Sequence, residues 1–189
     1  MENRQLLMKK ILSKLITPFT FIAVGVVARI FPHPANFAPI GSMALFGGAY
    51  MTKRQALTIP IMAMILSDVF IRFDSLPMRI SVYGSFLIAV LIGFWIKKHK
   101  NAGSLIAASL FSSIIFFLIT NFSVWAFGSL YPKTSFGLIE SFTLAIPFFR
   151  NTILGDLFYS GIFFGGYELV TNNALPKVWA QMHEFHPFL

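Results

Sequence analysis

The feature that most constrains this chain is a series of long apolar runs that recurs along the whole sequence. The run from 102 to 127 contains no charged residue. A helix needs roughly 20 mostly apolar residues to cross the ~30 Å hydrocarbon core of a bilayer, and this run meets that requirement. Over the whole chain, 56% of residues are hydrophobic, 12% are charged and the mean hydropathy is +0.73. The sequence therefore predicts an all-α integral membrane protein, with a single membrane domain over 1–189.

About six transmembrane helices are predicted from these runs. Their approximate bounds are 12–31, 39–51, 56–73, 80–96, 102–127 and 145–170. The second span is short, so five spans plus a buried or re-entrant piece is the alternative. Gly41, Gly47 and Gly48 in that span would allow neighbouring helices to approach closely. We interpret the basic and apolar N-terminal segment as a retained first helix, and 171–189 as a cytoplasmic tail.

The basic residues predict how the six spans are oriented. Cytoplasmic segments of membrane proteins carry an excess of lysine and arginine. With both termini inside, the larger group of basic residues is cytoplasmic: Arg4, Lys9, Lys10, Lys14, Lys53, Arg54, Lys97, Lys98, Lys100 and Lys177. The smaller group is outside: Arg29, Arg72, Arg79, Lys133 and Arg150. We expect a multi-pass protein of the cell (inner) membrane with both termini cytoplasmic.

The residue inventory makes several functions improbable. The chain has no cysteine, which excludes disulfides, thiol catalysis and thiolate metal sites. Its net charge is +8, but the basic residues lie at the ends of apolar runs rather than among stacking aromatics, so nucleic-acid binding is not expected. His183, Glu184 and His186 lie on a short polar tail, where solvated side chains are the expectation. We predict no metal, no cofactor and no catalytic residue.

Polar side chains within the apolar runs mark the candidate site, because such groups are costly in a membrane and usually face a protein interior or a cavity. Under the predicted orientation nearly all of them lie in the outer half, which indicates a polar pocket that opens outward. Helical spacing places Phe117, Asn121 and Trp125 on one face and Asp156 and Tyr159 on another. The predicted ligand-binding residues are Asn36, Asp68, Tyr83, Asn121, Trp125, Asn151, Asp156 and Tyr159.

Simpler structural roles stay open for several of these residues. Asn121 could hydrogen-bond another helix, and Trp125 could be an aromatic residue of the membrane interface. Asp68 and Arg72 could form an i, i+4 ion pair on one helix. Asp156 is harder to explain in this way, because its apolar surroundings on both sides make a solvated role improbable.

Three blocks of the sequence resemble a known family. The blocks "PHPANFAPIGSMALFGGAY", "TNFSVWAFGSLYPKTSFGL" and "AIPFFRNTILGDLFYSGIFFGGYE" look like an uncharacterised family of small bacterial membrane proteins. That family in turn resembles the S components of energy-coupling factor transporters, and the resemblance covers roughly residues 20–170. It implies a six-helix bundle with both termini inside. S components bind vitamins or related small molecules from outside and dock on a membrane subunit that carries two ATPases.

The resemblance makes a substrate-binding transport subunit the first functional hypothesis, with a small-molecule ligand and an energy-coupling subunit with ATPases as its partners. The sequence has no Walker-type G-x-x-x-x-G-K-[ST] loop, so ATP-driven transport would need those partners. One departure concerns docking, since "FIAVGVVAR" lacks the alanine pair at four-residue spacing that S components often show on helix one. The alternatives are a structural or assembly membrane protein and, less favoured, an intramembrane enzyme.

Overall fold

The computed structural model describes residues 18–99 and 101–171, and within these ranges the regular structure is entirely helical. The helices in chain order are α1 Pro18–Ile30, α2 Ile40–Tyr50, α3 Lys53–Ile71, α4 Leu76–Ile96, α5 Ala102–Phe127, α6 Ser135–Leu144 and α7 Ile146–Ser160. A π-helical turn, Gly161–Gly165, follows α7 without interruption, and α8, Gly166–Thr171, completes the described part. The expected cytoplasmic tail and most of the N-terminal basic segment lie outside these residues.

Three of the helices, α3, α4 and α5, are long and apolar enough to cross a membrane, and α1 and α2 are shorter apolar helices. Large apolar side chains such as Leu91, Phe111 and Phe158 are about half exposed on the outside of the bundle. Apolar surface of this kind is what lipid tails solvate. The described part of the chain is an all-helical bundle, and its three long apolar helices and its apolar outer surface are those of a membrane protein.

The short helix α2 lies at the centre of the bundle. All ten residues from Ile40 to Ala49 are buried, and α3, α4, α5 and α7 pack around them. At ~1.5 Å per residue the helix is about 16 Å long, roughly half of the hydrocarbon thickness. The short run in the sequence therefore corresponds to a buried central helix.

Glycines bring α2 and α4 into backbone contact. A Cβ atom on Gly93 would lie 2.9 Å from the Cα of Gly48 and would collide with the carbonyl oxygen of Leu45. The close helix approach predicted for Gly48 is confirmed at this crossing. Gly47 faces α3 instead, where an added Cβ atom would lie 3.4 Å from the Cα of Ala56, an ordinary van der Waals contact.

The helix ends follow from local side-chain chemistry. The Thr52 hydroxyl accepts a hydrogen bond from the Gln55 backbone N–H, and the Gln55 side chain returns to Thr52, which forms a capping box at the start of α3. Asn101 caps α5 through the N–H of Ser104, and Thr134 caps α6 through the N–H of Gly137. Accordingly α5 has the predicted bounds, whereas α3 and α4 each begin a few residues before the predicted spans.

Two features differ from the predicted spans. No span is predicted between 128 and 144, but α6 occupies Ser135–Leu144 and packs on α5 and α7. The single predicted span 145–170 is divided into α7, the π turn and α8. Within the π turn Phe163 and Phe164 both reach Phe46, with ring centroids 6.1 Å and 5.3 Å away. The π turn therefore joins this last segment to the central helix through aromatic contacts.

Candidate functional site

A cavity of about 340 Å³ lies within the bundle, at the end where α1 leads into α2 and α3 leads into α4. Residues from α1, α3, α4, α5 and α7 line it, together with the loop before α2, the first turn of α2 and the connection between α3 and α4. The volume is near the lower limit of typical small-molecule pockets. Of the eight predicted ligand-binding residues, the cavity brings together Asn36, Asp68, Tyr83 and Asp156.

Asp156 provides the most deeply buried charge of the cavity. The residue is 5% exposed, and its Oδ2 accepts a 2.7 Å hydrogen bond from the hydroxyl of Ser113 on α5. Its Oδ1 accepts no hydrogen bond from the described residues, and none of their cations forms an ion pair with it. A buried carboxylate without a cationic partner is costly in a bilayer, which makes Asp156 a candidate ligand-binding residue.

Small residues on neighbouring helices make room for Asp156. A Cβ atom on Gly41 would collide with Oδ1 of Asp156, so only glycine leaves space for the carboxyl group at this point of α2. The Ser42 hydroxyl donates a 2.8 Å hydrogen bond to the main-chain oxygen of Asp156. The Ser160 hydroxyl donates a 3.2 Å hydrogen bond to the Ser42 hydroxyl. These contacts fix the position of α7 against the central helix and hold the carboxyl group in place.

A second polar group, formed by Arg29, Asp68 and Tyr83, lies on the wall of the cavity. Arg29 Nη1 lies 2.6 Å from Asp68 Oδ1, and the Tyr83 hydroxyl donates a 2.6 Å hydrogen bond to Asp68 Oδ2. Arg29 also donates to the hydroxyl of Ser67. Both carboxylate oxygens of Asp68 are thus occupied, and this group joins α1, α3 and α4 while it is nearly neutral in charge.

The structure corrects one alternative from the sequence. Asp68 pairs with Arg29 across two helices and not with Arg72 one turn away. The helix α3 ends at Ile71, so Arg72 is already in the extended connection to α4. An i, i+4 pair requires both residues on a continuous helix, and that condition is not met here.

The mouth of the cavity is predominantly basic. Arg72 and Arg79 line it together with Asp74 and His33, and neither arginine forms an ion pair with the described residues. The guanidinium carbon of Arg79 lies 5.0 Å from the centre of the Phe73 ring, while its Nε is buried and has no hydrogen-bond partner in the described structure. An unpartnered buried N–H is uncommon and marks a position where an acceptor would be favourable.

Asn36 enters the cavity from the loop between α1 and α2. Its backbone has a φ of 64°, the left-handed conformation in which asparagine is among the favoured residues. The Asn151 side chain donates a 3.0 Å hydrogen bond to the oxygen of Ala35 in the same loop. Asn151, predicted as a ligand-binding residue, therefore positions the loop and does not itself line the cavity.

Three further predicted residues lie away from the cavity. The Asn121 amide donates a 2.8 Å hydrogen bond to the main-chain oxygen of Phe117 on its own helix. The Trp125 indole donates a 3.0 Å hydrogen bond to the main-chain oxygen of Pro132. Phe117 stacks on Phe149 of α7, which shows that this face of α5 packs against protein. Tyr159 packs against the ring of Phe37, with centroids 5.6 Å apart.

Several cavity residues were missing from the predicted site. Arg29 had been assigned to the outer end of its span, and its pairing with a residue on another helix has no local signal. Ser85, Ser112 and Thr152 also line the cavity, and Ser113 supports Asp156 behind it. Hydroxyl side chains in apolar helices often bond only to their own backbone, so their types and spacing could not distinguish these serines from structural ones.

The described residues contain no group of three or more histidine, aspartate or glutamate side chains that could hold a metal ion. His183, Glu184 and His186 lie outside the described part of the chain.

Comparison with known proteins places the chain in a family. A family model described as a family of unknown function (DUF6580) matches residues 9–179, and the chain belongs to this family. No curated protein and no solved structure matches the chain.

Proposed function

We propose that this protein is a substrate-binding membrane subunit that takes up a vitamin-like or other small molecule, with partner ATPase subunits supplying the energy. The observation that carries the proposal is the cavity, whose lining includes Asp156 with one carboxylate oxygen, Oδ1, that accepts no hydrogen bond from the described residues. The sequence blocks resemble a family of small membrane proteins that in turn resembles S components, and this resemblance also supports a substrate-binding function.

The distribution of hydrogen bonds supports binding over a purely structural role. Polar groups that only hold helices together satisfy one another, as Arg29, Asp68 and Tyr83 do. Asp156 Oδ1 has no such partner, and neither Arg72 nor Arg79 forms an ion pair with the described residues, although all three residues line the cavity. A ligand that fills the cavity would supply the missing donor and the missing negative charge.

The orientation follows from the positive-inside rule and remains part of the proposal. The cavity mouth lies at the end of the bundle that carries Arg72 and Arg79, which the basic-residue distribution puts outside. A ligand would then enter from outside the cell. With no phosphate-cradling loop in the sequence, movement against a gradient would depend on partner ATPases and a shared membrane subunit.

A cavity-filling substitution tests the binding function. Val82 lines the cavity from α4, so Val82→Trp would occupy space that a ligand needs. Leu91→Trp, on the lipid-facing side of the same helix where Leu91 is 57% exposed, is the matched control. Gently purified wild type and Leu91→Trp should carry a bound small molecule in native mass spectrometry, and Val82→Trp should not.

The same preparation separates the competing functions. A co-purified molecule that Val82→Trp retains in full would show that the cavity is not the binding site. Partner dependence is tested by affinity purification from native membranes, where recovery of ATPase subunits with the chain is the expected result. Chemical turnover of the co-purified molecule by the isolated protein would instead indicate an enzyme.

A further inference from the structure

The charges of the cavity are separated along its depth. One carboxylate, Asp156, lies among buried residues, and Arg72 and Arg79 lie at the mouth with a single carboxylate, Asp74, among them. Between the two ends, Arg29 and Asp68 neutralise each other. The cavity is therefore negative at its closed end and positive at its open end.

The helix register shows that these ends are well apart. Helices α2 and α4 run in the same direction, and Gly48 meets Val90 and Gly93 where they cross. Gly41, which contacts Asp156, lies about two turns before Gly48, and Ser85 lies about two turns before Gly93. Asp156 and Ser85 are thus at a similar depth. Arg79 comes before Ser85 on α4 and lies ~9 Å nearer the mouth, at ~1.5 Å per residue.

The closed end fits a cationic hydrogen-bond donor. Ser113 satisfies Oδ2 of Asp156, whereas Oδ1 accepts no hydrogen bond from the described residues. An ammonium group would supply both the missing donor and the missing positive charge, and a charge-assisted hydrogen bond of this type is stronger than a neutral one. The hydroxyl oxygens of Ser112 and Thr152, which also line the cavity, could accept hydrogen bonds from the remaining ammonium N–H groups.

The open end fits an anion. The guanidinium of Arg79 lies over the Phe73 ring, with 5.0 Å from its carbon to the ring centre, and it forms no ion pair with the described residues. Arg72 adds a second positive charge that forms no ion pair with them either. A carboxylate or phosphate could be bound by these two side chains, because guanidinium N–H groups match the geometry of such anions.

We propose that the cavity binds an amphoteric small molecule, with its ammonium or similar cationic N–H group at Asp156 and its anionic group at Arg79 and Arg72. This inference rests on the proposed binding function and adds the chemical class of the ligand. It differs from binding of a lone cation at Asp156 or a lone anion at the mouth, because both ends of one molecule are recognised together.

Simple ω-amino acids are suitable probes, because they vary the separation of the two charges without adding other groups. The series runs from γ-aminobutyrate to ε-aminocaproate, with hexylamine and hexanoate as single-charge controls at matched concentration and ionic strength. Melting temperature is measured on the detergent-solubilised full-length protein. A longer member of the series should raise the melting temperature by several degrees, and by more than the separate shifts of hexylamine and hexanoate combined.

Charge-removing variants identify the two ends. Asp156→Asn and Arg79→Gln should each weaken binding of the ω-amino acid by about 30-fold or more, the loss expected when one partner of a buried charge pair is removed. Matched controls are Glu140→Gln and Arg150→Gln, whose side chains lie outside the cavity and should leave binding unchanged. Since Asp156→Asn keeps the size of the side chain and one oxygen that can accept the Ser113 hydrogen bond, it should fold like the wild type.

The outcomes also separate this inference from the proposed function. Equal stabilisation by hexanoate and ε-aminocaproate, or no stabilisation by any ω-amino acid, would overturn the amphoteric assignment. A shift caused by sodium or hexylamine alone, and lost in Asp156→Asn, would assign the closed end to a lone cation and overturn it as well. A neutral molecule that co-purifies with wild type but not with Val82→Trp would keep the binding function while rejecting the inferred ligand class.

Discussion

Arg29 of α1 and Asp68 of α3 form an ion pair across the bundle, with 2.6 Å between Nη1 and Oδ1, and Tyr83 holds the second carboxylate oxygen. The side chains are 19% and 8% exposed, so the pair is neither a surface contact nor completely dry. Substitution of either residue by an uncharged one would leave the charge of the other poorly solvated at the cavity wall. The pair therefore connects the stability of the bundle to the shape of the candidate site.

Substitution Arg29→Met should lower the free energy of unfolding by about 2 kcal/mol, between the values typical of exposed and buried pairs. The physical reason is that Asp68 would keep its charge without a cation beside it. Asp68→Asn replaces one accepting carboxylate oxygen by an NH2 donor and leaves Arg29 without its counter-ion, so it should also lower the free energy of unfolding. Reversible unfolding in mixed micelles would measure both variants.

The double variant Arg29→Met with Asp68→Leu provides the control, because it removes both charges together. It should recover part of the loss seen in Arg29→Met. Together with the Asp68→Leu single variant it completes a double-mutant cycle, whose coupling free energy should differ clearly from zero. Additive effects of the two single substitutions would contradict the ion pair as a source of stability.

The crossing of Gly48 and Gly93 leads to a second prediction. In Gly93→Ala the new methyl group would meet the Leu45 carbonyl and the Gly48 backbone, which cannot rotate away as a side chain can. Overpacking of this kind usually costs about 1–3 kcal/mol, and we expect a loss in that range. The thermal midpoint of the detergent-solubilised protein is the measurement.

Gly84 on the same helix is the matched control. A Cβ atom at Gly84 would have no atom within 4 Å, so Gly84→Ala should gain up to about 1 kcal/mol from helix propensity alone. Similar destabilisation of both variants would show that helix α4 responds to alanine for a reason other than the crossing.

Much of the fold was predictable because it depends on local chemistry. The run from 102 to 127 became α5 with the same bounds, since Asn101 caps its start and an apolar sequence fills its length. The short second span was also recognisable, and its glycines indicated close packing. By contrast, α6 was missed because its ten residues are too few to span a bilayer and carry no strong apolar run.

The site was predictable only in outline. Asp68, Tyr83 and Asp156 line the cavity, and they are predicted from the sequence because polar groups within apolar helices usually face a protein interior or a cavity. The partner of Asp68 is not, because Arg29 is distant in the sequence and only the packing of α1 on α3 brings the two together. Asn121 has the same residue type and setting as a ligand-binding amide, yet it bonds to its own helix. Sequence spacing does not distinguish these cases.

The orientation of the bundle gives a third prediction, for which the cysteine-free chain is well suited. Ala35 lies in the loop beside the cavity mouth, and Lys98 follows the opposite end of α4. Both residues are exposed. Because the basic residues favour a cytoplasmic Lys98, Ala35→Cys should react with an impermeant thiol reagent added to intact cells and Lys98→Cys should not.

Permeabilised cells supply the control for this experiment, since both cysteines should react there. Labelling of Lys98→Cys in intact cells, with Ala35→Cys protected, would reverse the orientation and direct the cavity mouth toward the cytoplasm.

The last prediction concerns Asn121 and Trp125, which the sequence suggested as ligand-binding neighbours. The Asn121 amide donates to Phe117 on the same helix, and the Trp125 indole donates to Pro132 in the turn before α6. Neither side chain lines the cavity. Asn121→Leu should therefore leave binding of the co-purified molecule unchanged and alter stability by less than about 1 kcal/mol, because an amide bonded to its own helix contributes little to packing.

Trp125→Phe should also retain binding, but it should lower the melting temperature, because it removes the hydrogen bond that joins the end of α5 to Pro132. The comparison requires ligand content by native mass spectrometry and melting temperature on the same samples, with Asp156→Asn as the variant that loses ligand. Loss of the bound molecule in Asn121→Leu at an unchanged melting temperature would assign this face of α5 to the ligand site after all.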